Sequence, residues 1–257
     1  MNDTPDLLLR ARDEATLILT LNTPARRNAL SMDLRTALIA AFEEAEADAG
    51  IRAVVVTGSE GTFCAGGDIS GMNAATLAAG RKRFAITHQL VRLMIRLGKP
   101  ILAAVEGYAV GAGLSLALCC DTIVAARDAR FGAGFGRIGL IADLGLFHTL
   151  PARIGTGRAR QVLLYPDQMD ADAAGRIGMI DHVVPKGTAL EAALARARQF
   201  HAAAPLPIAM TRALLAEGLD AALDRELDMQ SALFLTADHA EGREAFLGRR
   251  APRFTGS

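Results

Sequence analysis

The stretch AVVVTGSEGTFCAGGDISG, Ala53–Gly71, joins an apolar, largely β-branched run to a loop of small residues ending in a carboxylate. A short apolar run without polar alternation reads as a strand buried on both faces. The loop behind it sets Ala65, Gly66 and Gly67 ahead of Asp68. Two readings are open: a turn into a helix capped by Asp68, or backbone N–H groups presented to a ligand. The arrangement occurs a second time in PILAAVEGYAVGAGLSLALCCD, Pro100–Asp121, where a buried strand again gives way to glycines and a short apolar helix. Neither loop has the G-x-G-x-x-G spacing of a dinucleotide site. Two loops contributing one N–H each suit an oxyanion hole, in which paired donors meet charge developing on a carbonyl oxygen.

Working outward, LLLR (7–10) and ATLILTL (15–21) read as two strands joined by the polar turn ARDE. Ser31 caps an amphipathic helix over roughly 32–48, and a second helix is expected from about 74 to 97. TIVAA and ARFG read as further strands, with helix resuming near Leu144. The last hundred residues are mostly helical. Strand–helix units followed by helices predict an α/β core with mostly parallel strands.

Bulk properties narrow the function. The 257 residues are 51% hydrophobic and 22% charged, with formal net charge zero, which argues against a nucleic-acid or acidic-lipid surface. Cys64, Cys119 and Cys120 form neither a disulfide framework nor a zinc pattern. With no signal-peptide pattern and no apolar run near the ~20 residues of a membrane span, a reducing cytoplasm is expected.

FCAGGDI and KPILAAVEGYAVGAGLSLALCCD resemble the two signature loops of the crotonase, or enoyl-CoA hydratase/isomerase, family. The resemblance continues through ARFG, GLIADLG, LPARIG and GMIDHVV to EGREAFLGRRAPRF, nearly the whole chain. It implies an α/β fold of the ClpP/crotonase type, a spiral of ββα repeats over 1–198 with a helical trimerisation region over 199–257. It also implies trimers or hexamers and an acyl-CoA thioester substrate. No metal or redox cofactor is implied, since CoA belongs to the substrate. Ala65 and Ala112 would supply the two oxyanion N–H donors. The CoA and substrate wall would comprise Arg26, Arg27, Ala29, Ala65, Gly66, Gly67, Asp68, Ile69, Ala112 and Phe135. Arg26 and Arg27 are read either as phosphate partners or as a solvated turn, and Arg249 either as a CoA contact or as a solvated residue.

The hydratases of this family use two glutamates, and the matching positions here are Ser115 and Phe135, neither able to act as a carboxylate. Asp143, in GLIADLG, remains. By position it could cap the helix near Leu144; its apolar neighbours would also raise its pKa and make it a better base. The resemblance favours the second role, being nearest in pattern to phenylacetyl-CoA-pathway isomerases with a single catalytic aspartate. The expected reaction is a double-bond shift in an enoyl-CoA through Asp143-mediated proton transfer. Three alternatives stand beside it: a hydratase of low activity, a hydrolase or dehalogenase-like enzyme using Asp143 with His88, and a non-catalytic CoA-binding protein.

Overall fold

The computed structural model describes residues 6–73 and 76–257. β1 (Leu8–Asp13) and β2 (Thr16–Leu21) form the antiparallel pair expected around the ARDE turn. α1 (Met32–Ala47) follows, with the Ser31 hydroxyl accepting the Leu34 N–H at 3.1 Å, so the chain crosses over and β3 (Ala53–Gly58) pairs parallel with β2. α2 (Leu77–Arg96) is capped by Thr76; the expected start near 74 lies outside the described residues.

Three more parallel strands complete the larger sheet: β4 (Ile101–Val105), β6 (Thr122–Ala126) and β9 (His182–Val184), in the order β1-β2-β3-β4-β6-β9. A smaller sheet contains β5 (Tyr108–Val110), β7 (Arg130–Gly132) and β8 (Met169–Asp170). The chain therefore lays down a strand in each sheet and then a helix: β4, β5 and α3 (Ala112–Leu118), then β6, β7 and α4 (Leu146–Leu164). This is the expected ββα spiral.

Burial explains the unbroken apolar strands. Val54 and Val56 face the main core, while Ala53, Val55, Leu102 and Ala104 face a second cluster under α6 (Ala189–Ala197), which follows the short α5 (Ala171–Arg176). A sheet covered on both faces needs no polar alternation.

The C-terminal segment is helical: α7 (Pro205–Leu215), α8 (Leu219–Leu233) and α9 (Ala237–Leu247). α8 lies along α2 and adds Leu219 and Leu223 to the main core. Gly80 of α2 faces Ser231 of α8, where a Cβ would make ordinary contact at 3.5 Å with that of Ser231. α7 leaves Leu206, Met210, Leu214 and Leu215 exposed. Among the described residues no helix is long and apolar enough to cross a membrane.

Candidate active site

The two glycine-rich loops are stitched together by backbone. Cys64 N–H donates to the Tyr108 carbonyl at 2.8 Å and Val110 N–H to the Cys64 carbonyl at 3.2 Å, so the first loop runs beside β5. That short strand was not distinguished in the sequence, because three residues between Gly107 and Gly111 are too few to show a period. At Gly113 a Cβ would fall 2.1 Å from the Cys64 carbonyl oxygen. Only glycine lets the start of α3 press against the first loop this closely. Buried Asn28 ties the other side of the loop down, its amide donating to the carbonyls of Ser59 and Thr62 at 3.0 and 2.6 Å.

Hydrogen bonding corrects one expected donor. The Ala65 N–H donates to the Arg27 carbonyl at 3.0 Å, and the Gly66 carbonyl accepts from Leu30 at 2.8 Å. Ala65 is thus spent on holding the loop against the NTPARRNAL segment and offers nothing to a ligand. Among the described residues the Gly67 and Ala112 N–H groups have no protein partner. A Cβ on Gly67 would lie 3.9 Å from that of Ala112, so the vacant donors from the two loops are neighbours. The difference arises because pairing with Leu30 sets which loop N–H points away, and that pairing is not written in the loop itself.

Both residues stand in the wall of a cleft of about 1200 Å³. Arg26, Arg27, Ala29, Ala65, Gly66, Asp68, Ile69, Phe135, Asp143 and Arg249 also line it. Arg26 pairs with Asp68 at 2.7 Å, and the Arg27 guanidinium lies 5.8 Å from the centre of the Tyr108 ring. Asp68 caps the short turn Ile69–Gly71 by accepting the Ser70 N–H at 3.1 Å. Partial burial pushes its carboxyl up, but the bonds from Ser70 and the charge of Arg26 outweigh this and leave it below its ordinary value.

Asp143 sits in the irregular segment between Gly139 and Gly145, both at positive φ. It is 5% exposed, and its Oδ1 has no hydrogen-bond partner among the described residues. Its carboxyl caps nothing: the Gly145 N–H at the head of α4 is taken by Glu226 at 2.9 Å. Burial pushes the Asp143 pKa up to about 7; Arg35 opposes this, Glu226 adds to it, and Arg83 and His88 oppose it. A carboxyl poised near neutrality can both take and return a proton.

His88 does not line the cleft. It is buried in α2 with Nε2 2.9 Å from Glu226 Oε1. Its expected place as a candidate base is corrected accordingly: the ring is engaged with a carboxylate behind Asp143. Ser115 is also buried, its hydroxyl donating to the Gly111 carbonyl at 3.4 Å, and Phe135 contributes a ring to the cleft wall. Neither position of the hydratase pair holds an acid or base.

Three charged residues around Asp143 were missed in the sequence: Arg35, Arg83 and Glu226. Arg35 and Glu226 carry a readable signal. Arg35 falls in the buried stripe of α1 with Leu38, Ile39 and Phe42, and Glu226 follows Leu219 and Leu223 at helical spacing. A charge inside an apolar stripe has a buried partner or a task. Arg35 is fully buried, bonds the Thr87 hydroxyl and keeps an unpartnered Nε. Desolvation pulls its pKa down, with Asp143 the largest opposing charge. Arg83 is pulled down to about 10 by burial and by Arg35.

Two vacant N–H donors in the wall of a cleft that also holds one raised carboxyl are the groups that enolate chemistry at a carbonyl compound would use. Residues 11–257 match the family model for enoyl-CoA hydratase/isomerase. The chain is 34% identical to 1,2-epoxyphenylacetyl-CoA isomerase of Escherichia coli K12, covering 98% of this chain and 99% of that one. It is 35% identical to 2,3-dehydroadipyl-CoA hydratase of the same strain, covering 97% and 98%. The crystal structure of an enoyl-CoA hydratase from Mycobacterium avium subsp. paratuberculosis K-10 superimposes with a TM-score of 0.88 at 30% identity, over 97% of this chain and 99% of that one. The chain belongs to the enoyl-CoA hydratase/isomerase family, whose crotonase fold it shares.

Proposed function

We propose that this acyl-CoA enzyme moves a carbon–carbon double bond by a proton transfer through Asp143. The thioester carbonyl oxygen would accept from the Gly67 and Ala112 N–H groups. The Asp143 carboxylate takes a proton from the carbon α or γ to the thioester, and the electron pair of that C–H bond delocalises into the enolate. Asp143 then returns the proton at the other end of the conjugated system, and the double bond is found one position along. Atoms and charge balance without a metal or redox group, and CoA enters as part of the substrate.

The observation that carries this reading is the Asp143 carboxyl itself: in the cleft wall, almost wholly buried, with an unpartnered oxygen and a pKa raised to about 7. Hydration is disfavoured because Ser115 and Phe135 offer no group to deprotonate water. Hydrolysis by an Asp143–His88 pair is disfavoured because His88 bonds Glu226 and stands off the cleft. A panel of enoyl-CoA esters in D₂O, read by mass spectrometry and NMR, tests the proposal. Deuterium uptake with double-bond migration supports it, and robust hydration without either contradicts it. Self-association belongs to the same proposal, since the exposed apolar face of α7 suits contact between copies of the chain.

A further inference from the structure

Asp143 lies in a segment whose local backbone bonds are sparse: Leu140 N–H reaches the Phe135 carbonyl at 3.3 Å and Leu146 N–H the Asp143 carbonyl at 3.3 Å. Leu144, Gly139 and Gly145 all take positive φ. With Oδ1 unpartnered, nothing bonded to that oxygen fixes the carboxyl either. Its place depends on whatever holds the backbone on each side of it.

That hold comes from α8. The Gln230 amide pairs with Ile141 in both directions, Nε2 donating to its carbonyl at 2.8 Å and Oε1 accepting its N–H at 3.2 Å. One turn earlier on the same face, Glu226 Oε2 accepts the Gly145 N–H at 2.9 Å while Oε1 meets His88 Nε2. Residues four apart on a helix are neighbours, and here they grip positions two before and two after Asp143. Both side chains are buried, where a broken bond leaves polar groups that water cannot satisfy.

We propose that Gln230 and Glu226 are the positioning pair of this site, gripping the backbone on either side of Asp143 from one face of α8 and fixing where its carboxyl stands in the cleft. The inference rests on the proton-transfer reading for its catalytic consequence, but not for its effect on Asp143. Glu226 acts in a second way, as the negative charge among the groups around Asp143; the others are Arg35 from α1 and Arg83 and His88 from α2. Neutralising it removes a repulsion that favours the protonated carboxyl.

The test uses the full chain with ¹³C-labelled aspartate carboxyls, the Asp143 resonance being assigned by its loss in Asp143→Asn. Gln230→Met keeps volume and removes both bonds to Ile141. Glu226→Gln keeps an acceptor for Gly145 and removes the charge, whereas Glu226→Met removes both. Folding of each is checked by circular dichroism. The expected result is that the Asp143 resonance shifts in folded Gln230→Met, shifts further in folded Glu226→Met than in Glu226→Gln, and titrates at lower pH in Glu226→Gln. Turnover on the isomerised substrate should fall about 10²-fold in Gln230→Met with KM little changed, the scale of a misplacement near 1 Å. An Asp143 resonance with wild-type shift and titration in all three variants overturns the proposal. A response to Gln230→Met alone, or a Glu226→Met response equal to that of Glu226→Gln, overturns the pairing and leaves a single gripping residue. If Asp143→Asn keeps full turnover, the proton-transfer reading fails while the carboxyl titration still decides whether α8 governs Asp143.

Discussion

Gly67 and Ala112 belong to different turns of the spiral, 45 positions apart in the chain as their numbers show, yet a Cβ on Gly67 would lie 3.9 Å from that of Ala112. Their N–H groups are both without a protein partner among the described residues. Gly67→Pro removes one donor and should lower turnover about 10²–10³-fold while CoA binding persists. Ala65→Pro should act differently: it breaks the bond to the Arg27 carbonyl, so its main effect is a lower melting temperature. Calorimetric CoA binding, circular dichroism and turnover on both variants separate the roles.

Asp143 should make the fold less stable as pH rises. Its folded pKa of about 7 lies above the 3.8 of an unperturbed carboxyl. Between these values the folded chain binds more protons than the unfolded one, so stability is greatest below the lower value and falls up to the higher. Above about pH 7 the full cost of a buried charge is present. Asp143→Asn removes that cost, and its stability advantage should grow between pH 5 and pH 8 by a few kcal/mol at most, at about 1.4 kcal/mol per pH unit. Urea unfolding at the two pH values measures it.

Arg35 should set the acid limb of the activity profile. Its charge favours the Asp143 carboxylate and opposes the desolvation that raises the pKa. In Arg35→Met the carboxyl holds its proton to higher pH, so the rising limb of kcat/KM should move upward. A limb that stays in place, in a folded variant, would separate Arg35 from the site's electrostatics.

The exposed face of α7 should mediate self-association. Leu214 is 76% exposed and Met210 64%, a patch that repays covering by another copy. Light scattering should give three or six times the monomer's 27.0 kDa, and Met210→Asp with Leu214→Asp should reduce it. A wild-type monomer at assay concentration would contradict this.

Much of the α/β core was legible because β3 and β4 are buried on both faces and α1 carries a cap: Val54 to Val56 and Ser31 read correctly from type and spacing alone. The cleft was legible through its small residues, since Gly113 marks where the start of α3 approaches the backbone of the first loop. What could not be read was direction. Whether Ala65 or Gly67 presents its N–H depends on Leu30 and Arg27 pairing with the loop from 35 or more residues away. His88 posed the same difficulty. A histidine on a helix near an aspartate suits a base, and only the placement of α8 brings Glu226 to its Nε2. Long-range partners decide such roles, and one side chain's neighbours in sequence do not contain them.

The most direct measurement is deuterium incorporation from D₂O into an enoyl-CoA substrate by wild type and Asp143→Asn, followed by NMR at the α and γ carbons. Asparagine keeps the volume at residue 143 and removes the basic oxygen. The expected result is label at the α or γ position with a shifted double bond in the wild type, and loss of both in a folded Asp143→Asn that still binds CoA. Unlabelled substrate in the wild type, or equal label in both proteins, would contradict proton transfer by Asp143.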